Sequence, residues 1–459
     1  MLAWSPTARR LLLLVGVGLA LGLGLAGLAR FVAERGIPQA RPPGRFALVS
    51  TSPEDGSYGT ATGSISFVFN YPADMASVED HLTVTPTAQG FFWAEGNIVR
   101  FAPVVPFPRG QQVTVTLEAG VRSRDGSQRL DEGANWTYQI RPPRAIFLTP
   151  SQPPHALMVS ADHVDGSPQT LFPGDHGLTD FSVSPGGDQL ALVMANDAGG
   201  HDVWTLDMSG SDPIQRTQCG GDDCVDPVWL PDRTHLAYAR VGREGSSVVW
   251  VLPLAGGQPV RLLDDPQLQA KDPVWSSDGM QVGFFDLGNK TMRLHSYESG
   301  HDFSFHTLNG LVGSWSPDGT RMVASVLDIS QAPPVGTLYV INAATGETTS
   351  LSLDGLVDAG SPVWSPANDW IAVSARRPGG GLARGIWIVH PDGSDLTPVA
   401  AQAGTAFGGP AWNAWGDALL LQGVSLESLE APPDVYVWRP DENELQVIAQ
   451  DAYAPDWLP

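Results

Sequence analysis

The C-terminal two-thirds of this chain repeats one short phrase seven times. Its clearest copies are Pro273-Val274-Trp275-Ser276-Ser277-Asp278-Gly279, Gly313-Ser314-Trp315-Ser316-Pro317-Asp318-Gly319 and Pro362-Val363-Trp364-Ser365-Pro366, with weaker copies centred on Val183, Trp229, Trp412 and Trp457. Successive centres are 46, 46, 40, 49, 48 and 45 residues apart. A period near 45 built from short apolar runs and turn residues predicts a β-propeller, one four-stranded blade per repeat. That architecture hosts many unrelated functions, so it constrains shape far more than activity.

Each repeat follows one grammar. In the fifth, Ser361-Pro362-Val363-Trp364 reads as an inner strand, Ser365-Pro366 as a turn and Trp370-Ile371-Ala372-Val373-Ser374 as the second strand. Gly385-Ile386-Trp387-Ile388-Val389 is the third strand, and His390-Pro391-Asp392-Gly393 turns into Leu396-Thr397-Pro398-Val399, the outermost. The repeated Trp is expected to bury its ring between neighbouring blades, and the Asp-Gly pairs supply residues that tolerate positive φ. With Val183 in place of Trp, Ser277 in place of Pro, and Asn413-Ala414-Trp415-Gly416 in place of one turn as its departures, this grammar resembles the TolB-type, WD-like propeller repeat.

The ends of the repeat region predict how the ring closes. Tyr453-Ala454-Pro455-Asp456-Trp457-Leu458-Pro459 reads as an inner strand with no partners after it. Ala145-Ile146-Phe147-Leu148, Ala156-Leu157-Met158-Val159 and Gln169-Thr170-Leu171-Phe172 read as second, third and fourth strands with no inner strand before them. Joining the two fragments makes six intact blades and a hybrid seventh, leaving no open sheet edge to aggregate.

Upstream, residues 45–141 alternate as strands do. Ile65, Phe67 and Phe69 share one face, as do Val113, Val115 and Leu117, and turns at Glu54-Asp55-Gly56, Glu95-Gly96-Asn97 and Arg124-Asp125-Gly126 separate the runs. The pattern predicts a β-sandwich. Val49-Ser50-Thr51-Ser52-Pro53-Glu54-Asp55-Gly56, Phe69-Asn70-Tyr71-Pro72-Ala73-Asp74-Met75, Val99-Arg100-Phe101-Ala102-Pro103 and Trp136-Thr137-Tyr138 resemble segments of bacterial Ig-like domains of the S-layer type. That resemblance implies a spacer or adhesive module. Asp74 and Glu79 read as solvated turn acids rather than a Ca²⁺ site.

Leu11 to Ala29 is an uncharged apolar run bracketed by Arg9-Arg10 and Arg30, roughly 28 Å long as a helix and so able to span a bilayer. A signal-anchor helix over 11–30 follows, after a short tail at 1–10, with cleavage near Ala26, Gly27 and Ala29 left open. Residues 31–44 form a Pro-rich linker holding the next domain off the membrane. The fold class is therefore all-β: an Ig-like β-sandwich (45–141), then a seven-bladed propeller (142–459), behind one transmembrane helix. Arg30, Arg35, Arg41 and Arg45 beyond the helix oppose Arg9 and Arg10 in a positive-inside count. The large domains are placed outside the membrane on the strength of the envelope-type modules and a cysteine pair that reads as oxidised.

Function classes narrow by exclusion. The chain carries 49 acidic against 26 basic residues, a net charge of −23, which removes the electrostatic basis for nucleic-acid binding. It has no G-x-S-x-G nucleophile elbow, no P-loop and no H-E-x-x-H cluster. Cys219 and Cys224, the only cysteines, read as a local disulfide rather than a zinc site. His163, His176 and His201 are the candidates for a channel metal of the kind some propeller lyases hold, and surface-loop positions are the plainer reading. The favoured function is a binding or scaffold protein engaging a protein or cell-wall glycan; the alternative is a metal-dependent carbohydrate lyase or hydrolase working in the channel.

One position singles itself out. Three residues before the centres of the first three repeats stand Asp180, Asp226 and Asp272; the later repeats have Val312, Ser361, Gly409 and Ala454 there. With Asp222 and Asp223 nearby, they predict a negative patch at the channel mouth for Ca²⁺ or a basic segment of a partner. The structural alternative is that each Asp serves its own loop.

Overall fold

The computed structural model describes residues 44–459 except 161–165, 209–212, 308–309, 329–334 and 429. The expected anchor lies outside the described residues, and no helix among those described is long and apolar enough to cross a membrane.

The first domain is a sandwich of two four-stranded sheets. One runs Leu48–Ser52, Ile65–Phe69, Ile98–Pro103, Gly90–Glu95; the other Tyr58–Gly59, Ala134–Ile140, Gln112–Leu117, Leu82–Thr85. Ile65, Phe67, Phe69, Val113, Val115 and Leu117 are fully buried between them, because alternation at period two delivers one face of each strand to the core. A short helix, Met75–His81, bridges the sheets. Its preceding Asp74 accepts from Arg122 rather than capping the helix, and Glu79 is exposed.

Seven four-stranded blades follow, the first two joined into one sheet by a parallel bridge between His201 and Asp223. Blades 1 to 6 are centred on Val183, Trp229, Trp275, Trp315, Trp364 and Trp412, with inner strands Leu178–Val183, Asp223–Trp229, Ala270–Trp275, Ser314–Trp315, Val357–Trp364 and Thr405–Trp412. Blade 7 is assembled from both ends of the region: Tyr453–Leu458 pairs antiparallel with Arg144–Thr149, followed by Ala156–Val159 and Gln169–Phe172. Each inner strand packs against the next, and the blade 7 strand packs against those of blades 6 and 1, so the ring is closed.

The repeated tryptophans bind the blades as well as filling space. Trp229 donates its indole N–H to Ser182, Trp315 to Val274, Trp412 to Val363 and Trp457 to Ala411, at 2.8–3.2 Å. In every case the acceptor is the carbonyl one residue before the centre of the preceding blade. A buried indole N–H needs such a partner. Trp364 departs by stacking under Arg321, whose guanidinium lies 4.8 Å from the ring centroid.

The turn after four of the centres is held by a buried hydroxyl. Ser276 and Ser316 donate to Asp278 and Asp318 while accepting the amides of Gln281 and Arg321. Ser184 and Ser365 bond Asp188 and Asp369, and Asn413 reaches Asp417 through its amide. The irregular turn at Asn413 thus keeps the same side-chain link with a different donor.

The Ig-like domain docks on the ring face that carries these turns. Thr60 and Thr62 donate to the carbonyls of Gly186 and Pro185 in the blade 1 turn. Trp415 in the blade 6 turn donates to Phe107 at 2.9 Å, and Arg109 pairs with Asp417 at 3.0 Å. Arg233 of the blade 2 turn lies 5.7 Å from the ring of Phe91, and burial lowers its pKa to about 10 against the opposing charge of Asp188. The expected spacer is therefore seated on the propeller through several turns.

Candidate functional site

The site is the channel inside the ring, and its shape starts from proline. Asp226, Asp272, Ser361, Gly409 and Ala454 each precede a proline two residues before the blade centre. Proline has no N–H to give the ladder, so pairing breaks there and a bulge leaves the preceding residue out of register. All five adopt positive φ, from 48° to 59°. Asp180 precedes Phe181 instead and stays in the ladder, paired with Val193.

Left-handed geometry favours Gly, Asn and Asp, which accounts for a small or polar residue at this tier. Ser361 and Ala454 hold the same conformation, so geometry does not require a carboxylate. The charges of Asp226 and Asp272 are additional to it.

These aspartates face one another across adjacent blades. Burial pushes Asp180 up to about 6, with the charge of Asp226 adding to the effect. Asp226 is raised by partial desolvation and by Asp272, against the pull of Lys271. Lys271 pairs with Asp272 at 2.8 Å, whereas Asp226 accepts no side-chain hydrogen bond among the described residues. Asp180 accepts only from the amide of Phe181, at 2.8 Å. The three carboxylates do not converge within 4.8 Å; the one group of three metal-binding residue types that does so among the described residues is Asp202, Cys219 and Cys224.

The rest of the sequence-derived set is engaged elsewhere. Asp222 pairs with Arg240 at 2.8 Å and Asp223 with His201 at 2.7 Å, both at the entrance to the blade 2 inner strand. Cys219 and Cys224 are joined by a disulfide with Cα atoms 6.1 Å apart, which removes their thiolates from the metal-binding group. His176 packs its ring at a tilt against Phe172 and does not meet His201 at a common site, and His163 lies outside the described residues.

Sequence reasoning passed over Asp456, one residue before Trp457 on the blade 7 inner strand. Its counterparts Val274 and Val363 line the channel. Burial pushes Asp456 up to about 6, with its carboxylate accepting from the amide of Trp457. Residues of blades 3 to 6, none of them charged, line a cavity of about 790 Å³ that reaches down to Val104, Val105 and Pro106 of the Ig-like domain.

Residues 43–140 match the family model described as a bacterial Ig-like domain. No curated protein is significantly similar in sequence. Among solved structures, a study of two prolyl endopeptidases gives 13% identity over 83% of this chain and 52% of that chain, with a TM-score of 0.50. TolB from Acinetobacter baumannii gives 11% identity over 90% and 99%, at 0.43. An oligogalacturonate lyase in complex with manganese gives 15% over 59% and 73%, at 0.40. At such identities the likeness is one of fold. The chain is an all-β protein in which an Ig-like domain precedes a β-propeller.

Proposed function

We propose that this chain is a membrane-anchored, extracytoplasmic binding protein, engaging a protein or cell-wall ligand at the channel mouth that faces away from the Ig-like domain. The observation that carries this reading is the polarity of the assembly. The first described residues sit beside Asn70 and Gln128, at the end of the strand Ile65–Phe69 opposite Thr62, which touches the propeller. An anchor preceding this end would hold the mouth on the far side of the ring away from the membrane. The acidic tier of Asp180, Asp226 and Asp272 opens toward that mouth.

The acidic tier suits a cationic group of a partner, since a low-dielectric channel focuses its field. Ca²⁺ is a weaker fit, because it takes six to eight oxygen ligands and these three carboxylates stand apart. The carbohydrate-cleaving alternative needs His, Asp and Glu meeting in the channel, and His201 and His176 are placed elsewhere.

The test is capture of envelope components by the detergent-solubilised full chain, compared with the Asp226→Asn/Asp272→Asn variant. Loss of a salt-sensitive partner in the variant supports the reading. An unchanged partner set, or metal-dependent cleavage of an oligosaccharide by the purified chain, overturns it.

A further inference from the structure

Two exposed valines sit where the domains meet. Val104 and Val105 are 63% and 70% exposed, yet their loop is pinned to the propeller. Phe107, two residues on, is buried and its carbonyl is held by Trp415, while Thr62 beside the loop bonds Pro185. The valines are thus fixed facing the channel cavity, with Pro106 beside them. The wall above contains Trp275, Val312, Trp315, Pro362 and Pro410, and no charged residue lines this cavity. At about 790 Å³ it falls within the roughly 300–1,000 Å³ range of ligand pockets.

The wall also carries backbone groups able to pair. In blades 4 to 6 the inner strand ends its sheet, pairing only with the second strand, so its other edge faces the channel. An edge strand presents unpaired N–H and C=O groups and is a template for an extended segment. At the tier of Ser361 and Gly409, in the neighbouring blades 2 and 3, stand Asp226 and Asp272. That tier lies about 10 Å along the strand from the tryptophan centres.

We infer that the channel and the Ig-like domain together form one binding site for an extended polypeptide segment of a partner, entering apolar end first. Its apolar residues rest on the floor made by Val104, Val105 and Pro106 and against the blade 3 to 6 wall. A Lys or Arg following them meets Asp226 and Asp272. The inference rests on the binding reading above and assigns the Ig-like domain a share of the recognition surface.

The probe is a displayed library of random octapeptides with free ends, selected on the full chain in detergent. Expected is enrichment of peptides joining an apolar terminal run to Lys or Arg. Val105→Trp, which fills the floor, weakens them at least tenfold without lowering Tm, and Val105→Glu does the same by charging it. Asp226→Asn/Asp272→Asn weakens them and flattens the salt dependence. No enrichment, or binding by both Val105 variants as tight as that of the native chain, overturns the inference. If an envelope partner is still captured by Val105→Trp but lost by the double Asn variant, the mouth binds and the channel inference alone fails.

Discussion

The indole of Trp415 donates to the carbonyl of Phe107 at 2.9 Å, joining the sixth blade to the Ig-like domain across 308 residues of chain. The same ring lies under the guanidinium of Arg109, 5.1 Å from its centroid, and Arg109 continues to Asp417. One side chain therefore serves a hydrogen bond, a cation–π contact and the edge of the sandwich core.

Removing it tests whether the domains act as a unit. Trp415→Ala should weaken docking by about 2 kcal/mol, from one lost hydrogen bond, one cation–π contact and the buried ring area. Calorimetry of the full chain should then show the two domains melting further apart, and limited proteolysis should cut faster around the 104–109 loop. Unaltered melting and cleavage would mean that the Thr60 and Thr62 contacts suffice.

Closure of the ring makes a second case. Trp457→Phe keeps an aromatic ring at the site but loses the indole bond to Ala411, costing about 1 kcal/mol or somewhat more. Trp457→Ala adds a cavity and should cost about 3–5 kcal/mol, read from urea denaturation. Deleting Ala452 to Pro459 leaves Arg144–Thr149 without its inner partner and should abolish cooperative unfolding of the propeller.

The partly buried Asp456 predicts a pH dependence of defined sign. Its folded pKa, about 6, lies above the ordinary carboxylate value of 3.8, so the folded protein holds the proton more tightly. The stabilising contribution is full below about pH 4 and disappears as pH rises through 6. At pH 7.5 the ionised group opposes folding, and Asp456→Asn should be more stable than the native chain by about 2 kcal/mol. The two should converge near pH 4. Denaturation curves at the two pH values check this, and a constant difference would assign the effect to something other than ionisation.

The Cys219–Cys224 loop allows two contributions to be ranked. Asp202 is 3% exposed and accepts from Asn196, Gln215, Thr217 and the Cys219 amide. Asp202→Ala strands those donors and should cost about 3 kcal/mol or more. Replacing both cysteines with serine should cost about 2 kcal/mol, since the closed loop is short. Chemical denaturation of each variant gives the order, and the reverse order would make the disulfide the main organiser.

The turn hydroxyls offer the simplest test. Ser316→Ala leaves the Arg321 amide without its acceptor and should cost about 1–3 kcal/mol. Comparable losses are expected for Ser276→Ala, visible as a lower urea midpoint with an unchanged slope.

Blade centres, strand faces and the joined ends of the ring were legible because they rest on local pattern. A tryptophan every 40 to 49 residues marks a unit that must bury one large ring per copy, and Ile65, Phe67 and Phe69 reach the sandwich core through strand period alone. The Pro at 227, 273, 362, 410 and 455 was equally visible and was the unread signal for the bulges that shape the channel.

What tertiary structure decided involves residues far apart in sequence whose meeting depends on how whole domains pack. That Thr62 meets Pro185, that Arg233 lies over Phe91, and that Val104 and Val105 floor a channel walled by blades 3 to 6 follow from docking between rigid surfaces. No periodicity encodes such a pairing. The aspartates divide along the same line: their recurrence before the blade centres belongs to the sequence. Their environments do not, since Asp272 is claimed by Lys271, Asp226 has no hydrogen-bonding side chain among the described residues and Asp180 is pushed up by burial. Charge and conformation are set by a residue and its neighbours in the chain, whereas desolvation and pairing are set by what the fold brings beside it.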